Sequence, residues 1–339
     1  MLSGDAPLTE AQIAETGRAI ASVQLPDGCI PATAGGLADP WNHVEAAMAL
    51  DVAGLTREAE RAYEWLARAQ RRDGSWGMSY RDGVPVDEGS DANFCAYIAA
   101  GAWHHHLATG DDRFLAGLWP VLERAIDFTL GLQAPGGEIF WARDREGRPW
   151  PAALLTSSSC IHLSLGCACA IAERLGHARP DWGKAQDRLR HAIERRPEAF
   201  ESRRRWSMDL YYPVLGRALE GEAAEERIRS GWDTFVVPGL GVRCVADRPW
   251  VTVAETCELV LALDAMGWEE EARDLFTWAQ RLRHEDGAYW TGVTFPEGEL
   301  YPEERPTWTS GAVLLAADAL AGQSLTSGLF RDDHLETVA

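Results

Sequence analysis

QRRDGSWG (70–77) decides the fold, because it recurs. An apolar-periodic stretch runs into a glycine turn carrying aromatic or apolar residues four times: QLPDGCIP (24–31), QRRDGSWG (70–77), QAPGGEIFW (133–141) and RHEDGAYWTG (283–292). Asp-Gly and Gly-Gly stop a helix because glycine accepts the left-handed backbone that follows a helix C-terminus. The residue just beyond can fold back over the helix end and fill the gap to the next unit. Self-similarity at a spacing of tens of residues means that one supersecondary unit is being stacked.

Working outward, apolar residues at i, i+3 and i+4 predict twelve helices. They lie near 8–24, 41–54, 56–70, 90–108, 112–133, 155–175, 181–198, 207–220, 222–234, 252–267, 269–283 and 307–321. Two kinds alternate. TREAERAYEWLARAQ (56–70) has one charged face and belongs outside. CIHLSLGCACAIA (160–172) and ETCELVLALDAMG (255–267) are apolar nearly all round with short side chains, and belong inside. Six outer–inner hairpins around an axis make an all-α (α/α)6 toroid, with the N-terminal helix closing on the last inner helix. Residues 1–323 are expected to form it as one catalytic domain, leaving 324–339 as a loose polar tail. Strand signals are weak; GVRCV (241–245) is a candidate rim hairpin.

The bulk numbers exclude several classes. With 339 residues, 46% of them hydrophobic, the chain can bury a large core, and its net charge of −20 disfavours nucleic acid and anionic membranes. No window approaches the ~18 uninterrupted apolar residues of a membrane span. MLSGDAPLTEAQ at the start has neither the basic nor the apolar region of a signal peptide. Cys29, Cys95, Cys160, Cys167, Cys169, Cys244 and Cys257 form an odd, scattered set without a CxxC pair, which points to a reduced cytoplasmic protein without structural zinc. Lys184 is the one lysine, and this arginine-rich composition fits a high-GC bacterial genome.

In such a ring the glycine loops and the inner-helix N-termini share one mouth. Those N-termini read PWNHVE (40–45), DEGSDANF (87–94), TSSSCIH (156–162), WSMDLYY (206–212), TVAETCE (252–258) and TWTSG (307–311). Six polar ends above an apolar plug describe a water-filled cleft. Many of these residues are also natural N-caps. Glu45, Asp209 and Glu255 are set among apolar neighbours, where an unpaired carboxylate is costly. With Asp91 they form the candidate acid/base set, Asp91 opposing Glu255 and Glu45 opposing Asp209. Paired acids across a cleft are the equipment of glycoside hydrolysis.

Fifteen tryptophans among 339 residues is several times ordinary usage. Indole faces stack on sugar rings, and carboxylates and amides bond the hydroxyl rims. Trp41, Asn42, His43, Trp76, Asp87, Asn93, Trp206, Tyr211, Tyr212, Trp290 and Trp308 are therefore the candidate sugar-binding residues. No metal or other cofactor is expected, and the partner is a carbohydrate.

QRRDGSWG and QAPGGEIFW resemble the Gln-Trp loops of terpenoid cyclase and protein prenyltransferase toroids. The acid motif DxDD of the cyclases is missing, and Glu255-Thr-Cys257 with His284 departs from the zinc set of the transferases. The mouth looks more like those of (α/α)6 glycoside hydrolases. More narrowly, the compact length and PWNHVEAAMAL (40–50) are similar to the endo-acting α-mannosidases of actinobacterial methylmannose polysaccharide metabolism. That resemblance implies a hydrolase of an α-linked polysaccharide such as an α-1,4-mannan. The alternatives are a terpenoid or prenyl-transfer enzyme and a non-catalytic carbohydrate-binding protein.

Overall fold

A computed structural model describes residues 6–331. Thirteen helices account for the twelve expected: α1 (Glu10–Ala21), α2 (Pro40–Val52), α3 (Thr56–Ala69), α4 (Ala92–Ala96), α5 (Ile98–Thr109), α6 (Asp112–Leu130), α7 (Leu155–Arg174), α8 (Pro180–Arg195), α9 (Met208–Leu215), α10 (Gly221–Phe235), α11 (Val253–Ala265), α12 (Glu269–Ala279) and α13 (Thr307–Ala321). The extra one arises because the second inner helix is broken at Tyr97 into α4 and α5.

The inner helices α2, α4–α5, α7, α9, α11 and α13 pack each on the next, and α13 returns to α2. Helix α1 packs on both α2 and α13, so the ring closes as expected. The two kinds differ in burial. From Pro40 to Asp51, α2 is buried everywhere except Asn42, whereas α3 buries one face through Ala59, Ala62, Tyr63, Trp65 and Leu66. Helix α7 has the length and apolarity of a membrane span, and it is a mostly buried inner helix of this ring.

The recurring loops hold the outer wall together. At Gly74 the backbone has φ +90°, and a Cβ there would lie 2.1 Å from the carbonyl oxygen of Arg124 on α6. Only glycine permits both the turn and that approach. Gln70 Nε2 donates to the oxygens of Gly74 (3.0 Å) and Val121 (2.8 Å), tying its loop to the neighbouring outer helix. Gln24 and Gln133 repeat this with Glu58 and Ala185. The fourth loop replaces glutamine with Arg283, which pairs with Glu15 at 2.7 Å, while Thr16 Oγ1 donates to the Gly287 oxygen at 2.8 Å. The last loop is thereby fastened to the first helix.

The connections into α9 and α11 lack this loop. In the connection into α11, Val236–Val237, Gly241–Arg243 and Trp250–Thr252 join Gly292–Thr294 of the last connection in a four-stranded antiparallel sheet, with Val242 and Gly292 both opposite Thr252. The hairpin anticipated around 241–245 is part of it.

The stretch from Ser324 corrects the expectation of a loose tail. Ser324 and Thr326 bond Asp318, Leu329 and Phe330 are buried, and Arg331 pairs with Asp264 at 3.0 Å. This segment lies under the ring at the end opposite the mouth. The remainder of the expected tail, 332–339, and residues 1–5 lie outside the described residues.

Candidate active site

Counting from the start of each inner helix sorts the buried acids into two layers. Asp39 and Asp91 are the N-caps of α2 and α4, Asp209 is the second residue of α9, and Glu255 the third of α11. Glu45 and Glu258 are each the sixth residue of their helix. Three residues of helix place this second layer about 4.5 Å deeper.

In the mouth layer, Asp91 accepts the N–H groups of Asn93 (2.8 Å) and Phe94 (3.1 Å). Burial, aided by the neighbouring charge of Asp39, nevertheless pushes its carboxyl up to about 7. Asp39 accepts the Asn42 N–H at 2.9 Å and is itself raised, mainly by burial. Asp209 accepts Thr156 Oγ1 at 2.8 Å and is raised by burial. Glu255 is buried with its Oε2 unpartnered. Asn93 Oδ1 and Thr252 Oγ1 are also buried without a partner. Buried polar atoms left open at the mouth of a cleft are acceptors and donors that a ligand can complete.

The deeper layer is closed upon itself. Tyr97 donates to Glu45 at 2.7 Å, and Trp41 stacks on Tyr97 with ring centroids 5.1 Å apart. Tyr211 and Tyr212 both donate to Glu258, Tyr212 at 2.7 Å. Burial pushes Glu45 up to about 7 and Glu258 well above the usual carboxylate range. The Glu258 carboxyl is raised further by the charges of Glu255 and Glu45. Below lies a small axial cavity of about 10 Å³, room for a single water, floored by Leu163, Leu215, Leu261 and Phe330.

Several expected placements change. His43 is fully buried, with Nδ1 accepting the Ile30 N–H (3.0 Å) and Nε2 against the Ala62 oxygen (3.0 Å). Burial lowers it to about 4, so it is a neutral strut between α2 and α3 and not a sugar contact. Trp76 is also buried, its Nε1 donating to the Leu66 oxygen at 2.9 Å, and staples its loop to α3. Trp290 lines a separate groove at the seam between α1 and the last connection, with Arg305 over its ring at 4.9 Å. Tyr211 and Tyr212 turn to Glu258 inside the ring. Asp87 and Trp206 are exposed on the rim, while Asn42 and Trp308 are partly buried at the mouth. Glu258 feels the charges of Glu255 and Glu45, and Asp91 feels that of Asp39.

Sequence reasoning passed over Asp39, Tyr97 and Glu258. Glu258 had a usable signal: it stands three residues after Glu255, hence on the same helix face, and at the same helical position as Glu45. The residues nearest to a zinc set are scattered. Cys257 is buried in α11, and His284 is paired with Asp286 in the seam loop at 3.0 Å.

No protein-family model matches the chain. The MMP endo-(1,4)-3-O-methyl-alpha-D-mannosidase of Mycolicibacterium hassiacum is 54% identical over 324 residues, 96% of this chain and 90% of that protein. An uncharacterized glycosyl hydrolase of Methanocaldococcus jannaschii is 24% identical over 154 residues, 44% of this chain and 24% of that protein. Among solved structures, a wild-type glycosidase superposes with a TM-score of 0.73 at 16% identity, covering 94% of this chain and 98% of that one. A D-mannose isomerase superposes at 0.74 with 12% identity, covering 95% and 100%. These distant structures establish the toroid alone. At 54% identity along nearly its whole length, the chain belongs to the family of the Mycolicibacterium mannosidase and is a glycoside hydrolase.

Proposed function

We propose that this hydrolase cuts internal α-1,4 links of a 3-O-methylated mannan, with Asp91 and Glu255 as its working carboxyl pair. The substrate reading is carried by the 54% identity to an enzyme named for that bond. The assignment of roles rests on the mouth layer. The second and fifth inner helices stand opposite each other in a ring of six, so Asp91 and Glu255 occupy opposite walls.

Asp91, raised to about 7, is still protonated in part at neutral pH and can give its proton to the glycosidic oxygen as the bond to the anomeric carbon breaks. The nearby charge of Asp39 helps to hold that proton in place. Glu255, with one oxygen unpartnered, is free to take a proton from water or to attack the anomeric carbon. Asn93 contributes an open acceptor to the sugar subsites. The segment under the ring makes the site a cup, so a polymer lies across the mouth and is cut internally. Seven free cysteines, six of them buried, suit a reducing cytoplasm.

Incubation with 3-O-methylated α-1,4-mannooligosaccharides tests this. The expected products are shorter oligosaccharides of several lengths. Release of monosaccharide alone, or an epimerised chain of unchanged length, contradicts the reading.

A further inference from the structure

Apolar side chains left in water are concentrated at one end of this molecule. Among the described residues the exposed large hydrophobics are Leu37, Val84, Val86, Trp150, Trp206 and Tyr301 with its neighbour Leu300, and on the opposite face Leu325. All but Leu325 stand on outer-to-inner connections, and five of the six connections carry at least one. Val84, Trp150 and Tyr301 are 62%, 54% and 58% exposed, so they cover no core. All four residues of the strand Val84–Asp87 are wet, which leaves neither face of that hairpin arm packed inward. Two aromatic pairs strengthen the rim: Trp150 lies 6.2 Å from Trp141, and Tyr301 sits edge-on to Trp250 at 5.5 Å.

Exposed apolar residues scattered singly need no explanation, but a crown of them around a cleft marks a binding surface. A plain mannan offers hydroxyls to such a crown, and the valines have nothing to bond them with. A methyl ether removes a donor and adds a methyl group, which valine and indole can bury. The charge of −20 on the chain also favours a neutral occupant over an acidic one.

We infer that the apolar mouth rim, with Val84, Val86, Trp150 and Tyr301, is the surface that selects O-methylated polysaccharide over its unmethylated counterpart by burying the methyl ethers. This rests on the function proposed above and assigns its specificity to residues outside the carboxyl pair. Each buried methyl is worth about four-fold in affinity, or ~0.8 kcal/mol.

The test measures kcat and KM on a 3-O-methylated α-1,4-mannooligosaccharide, and the Ki of the unmethylated oligosaccharide as a competitor. The proteins are wild type, Val84→Ser with Val86→Ser, Trp150→Ala, their combination, and Leu325→Ser as a control on the far face. Thermal melting checks that each is folded. The rim variants should raise KM by about four-fold each and ten-fold or more together, with kcat within about two-fold and Ki nearly unmoved. Leu325→Ser should leave KM unchanged. An unmoved KM in the combined variant overturns the inference, as does an equal rise of KM and Ki, which would mean a grip on sugar in general. Wild-type self-association that the rim variants abolish, with KM unmoved, would make the rim a contact between copies instead. A wild type that never shortens the methylated substrate refutes the functional reading itself, and the rim's role falls with it.

Discussion

The two acid layers of the ring contain the same side chains in opposite circumstances. Glu45 and Glu258, six residues into their helices, receive phenol hydroxyls from Tyr97, Tyr211 and Tyr212 and sit above an apolar cavity. Asp91 and Glu255, one turn nearer solvent, are held by backbone N–H groups or by nothing on one oxygen. A carboxyl raised by burial is therefore not by itself a catalyst. Glu45 and Asp91 both reach about 7, yet only Asp91 stands among open polar atoms at the mouth. Under the proposed function, depth along the helix separates chemistry from support.

That contrast is broken most severely at Asp91. Asp91→Asn keeps an N-cap but removes the acid, and kcat should fall about 10²–10⁴-fold. The alkaline limb of the wild-type rate profile near pH 7 should vanish with it, as a pH–rate series would show. Glu45→Gln should do the reverse, sparing kcat to within a few-fold while changing stability. The folded Glu45 carboxyl binds its proton up to about 7 and the unfolded one only to about 4.5. Its contribution is therefore full below pH 4.5 and is lost as pH rises through 7. Relative to wild type, the Gln variant should gain stability between pH 5 and 8, by of order 3 kcal/mol, in denaturant melts at several pH values. Tyr212→Phe removes one of two donors to Glu258 and should cost about 1 kcal/mol of stability in the same melts. The smallest effect belongs to Asp39→Asn. Without that charge the Asp91 carboxyl drops, so the alkaline limb should move to lower pH and the rate at pH 7 fall by about threefold.

Much of this architecture was legible in the chain because backbone chemistry wrote it there. Gly28, Gly74, Gly137 and Gly287 all have positive φ, and a Cβ at each would strike the backbone of the next outer helix. A turn that glycine alone can make leaves a recurring letter, and the ring follows from the recurrence. The short, nearly uniformly apolar helices likewise announce burial on every side. What stayed hidden depends on which way a side chain turns. Trp76 and His43 lie at the mouth in sequence, but both point outward between helices, where an indole N–H and two imidazole nitrogens find backbone partners. Glu258 was lost inside an apolar run because its partners, Tyr211 and Tyr212, come from a different helix. The closure beneath the ring was hidden too: Leu329 and Phe330 are two apolar residues in a polar stretch, and only the open end of the ring gives them something to fill.

The most direct test is the turnover of Glu255→Gln on a 3-O-methylated mannooligosaccharide, read beside its melting temperature. The expected result is a folded protein that melts close to wild type and has lost at least about a thousandfold in kcat. A folded variant that turns over at the wild-type rate would remove Glu255 from the chemistry and, with it, the division of the ring into a working layer and a supporting one.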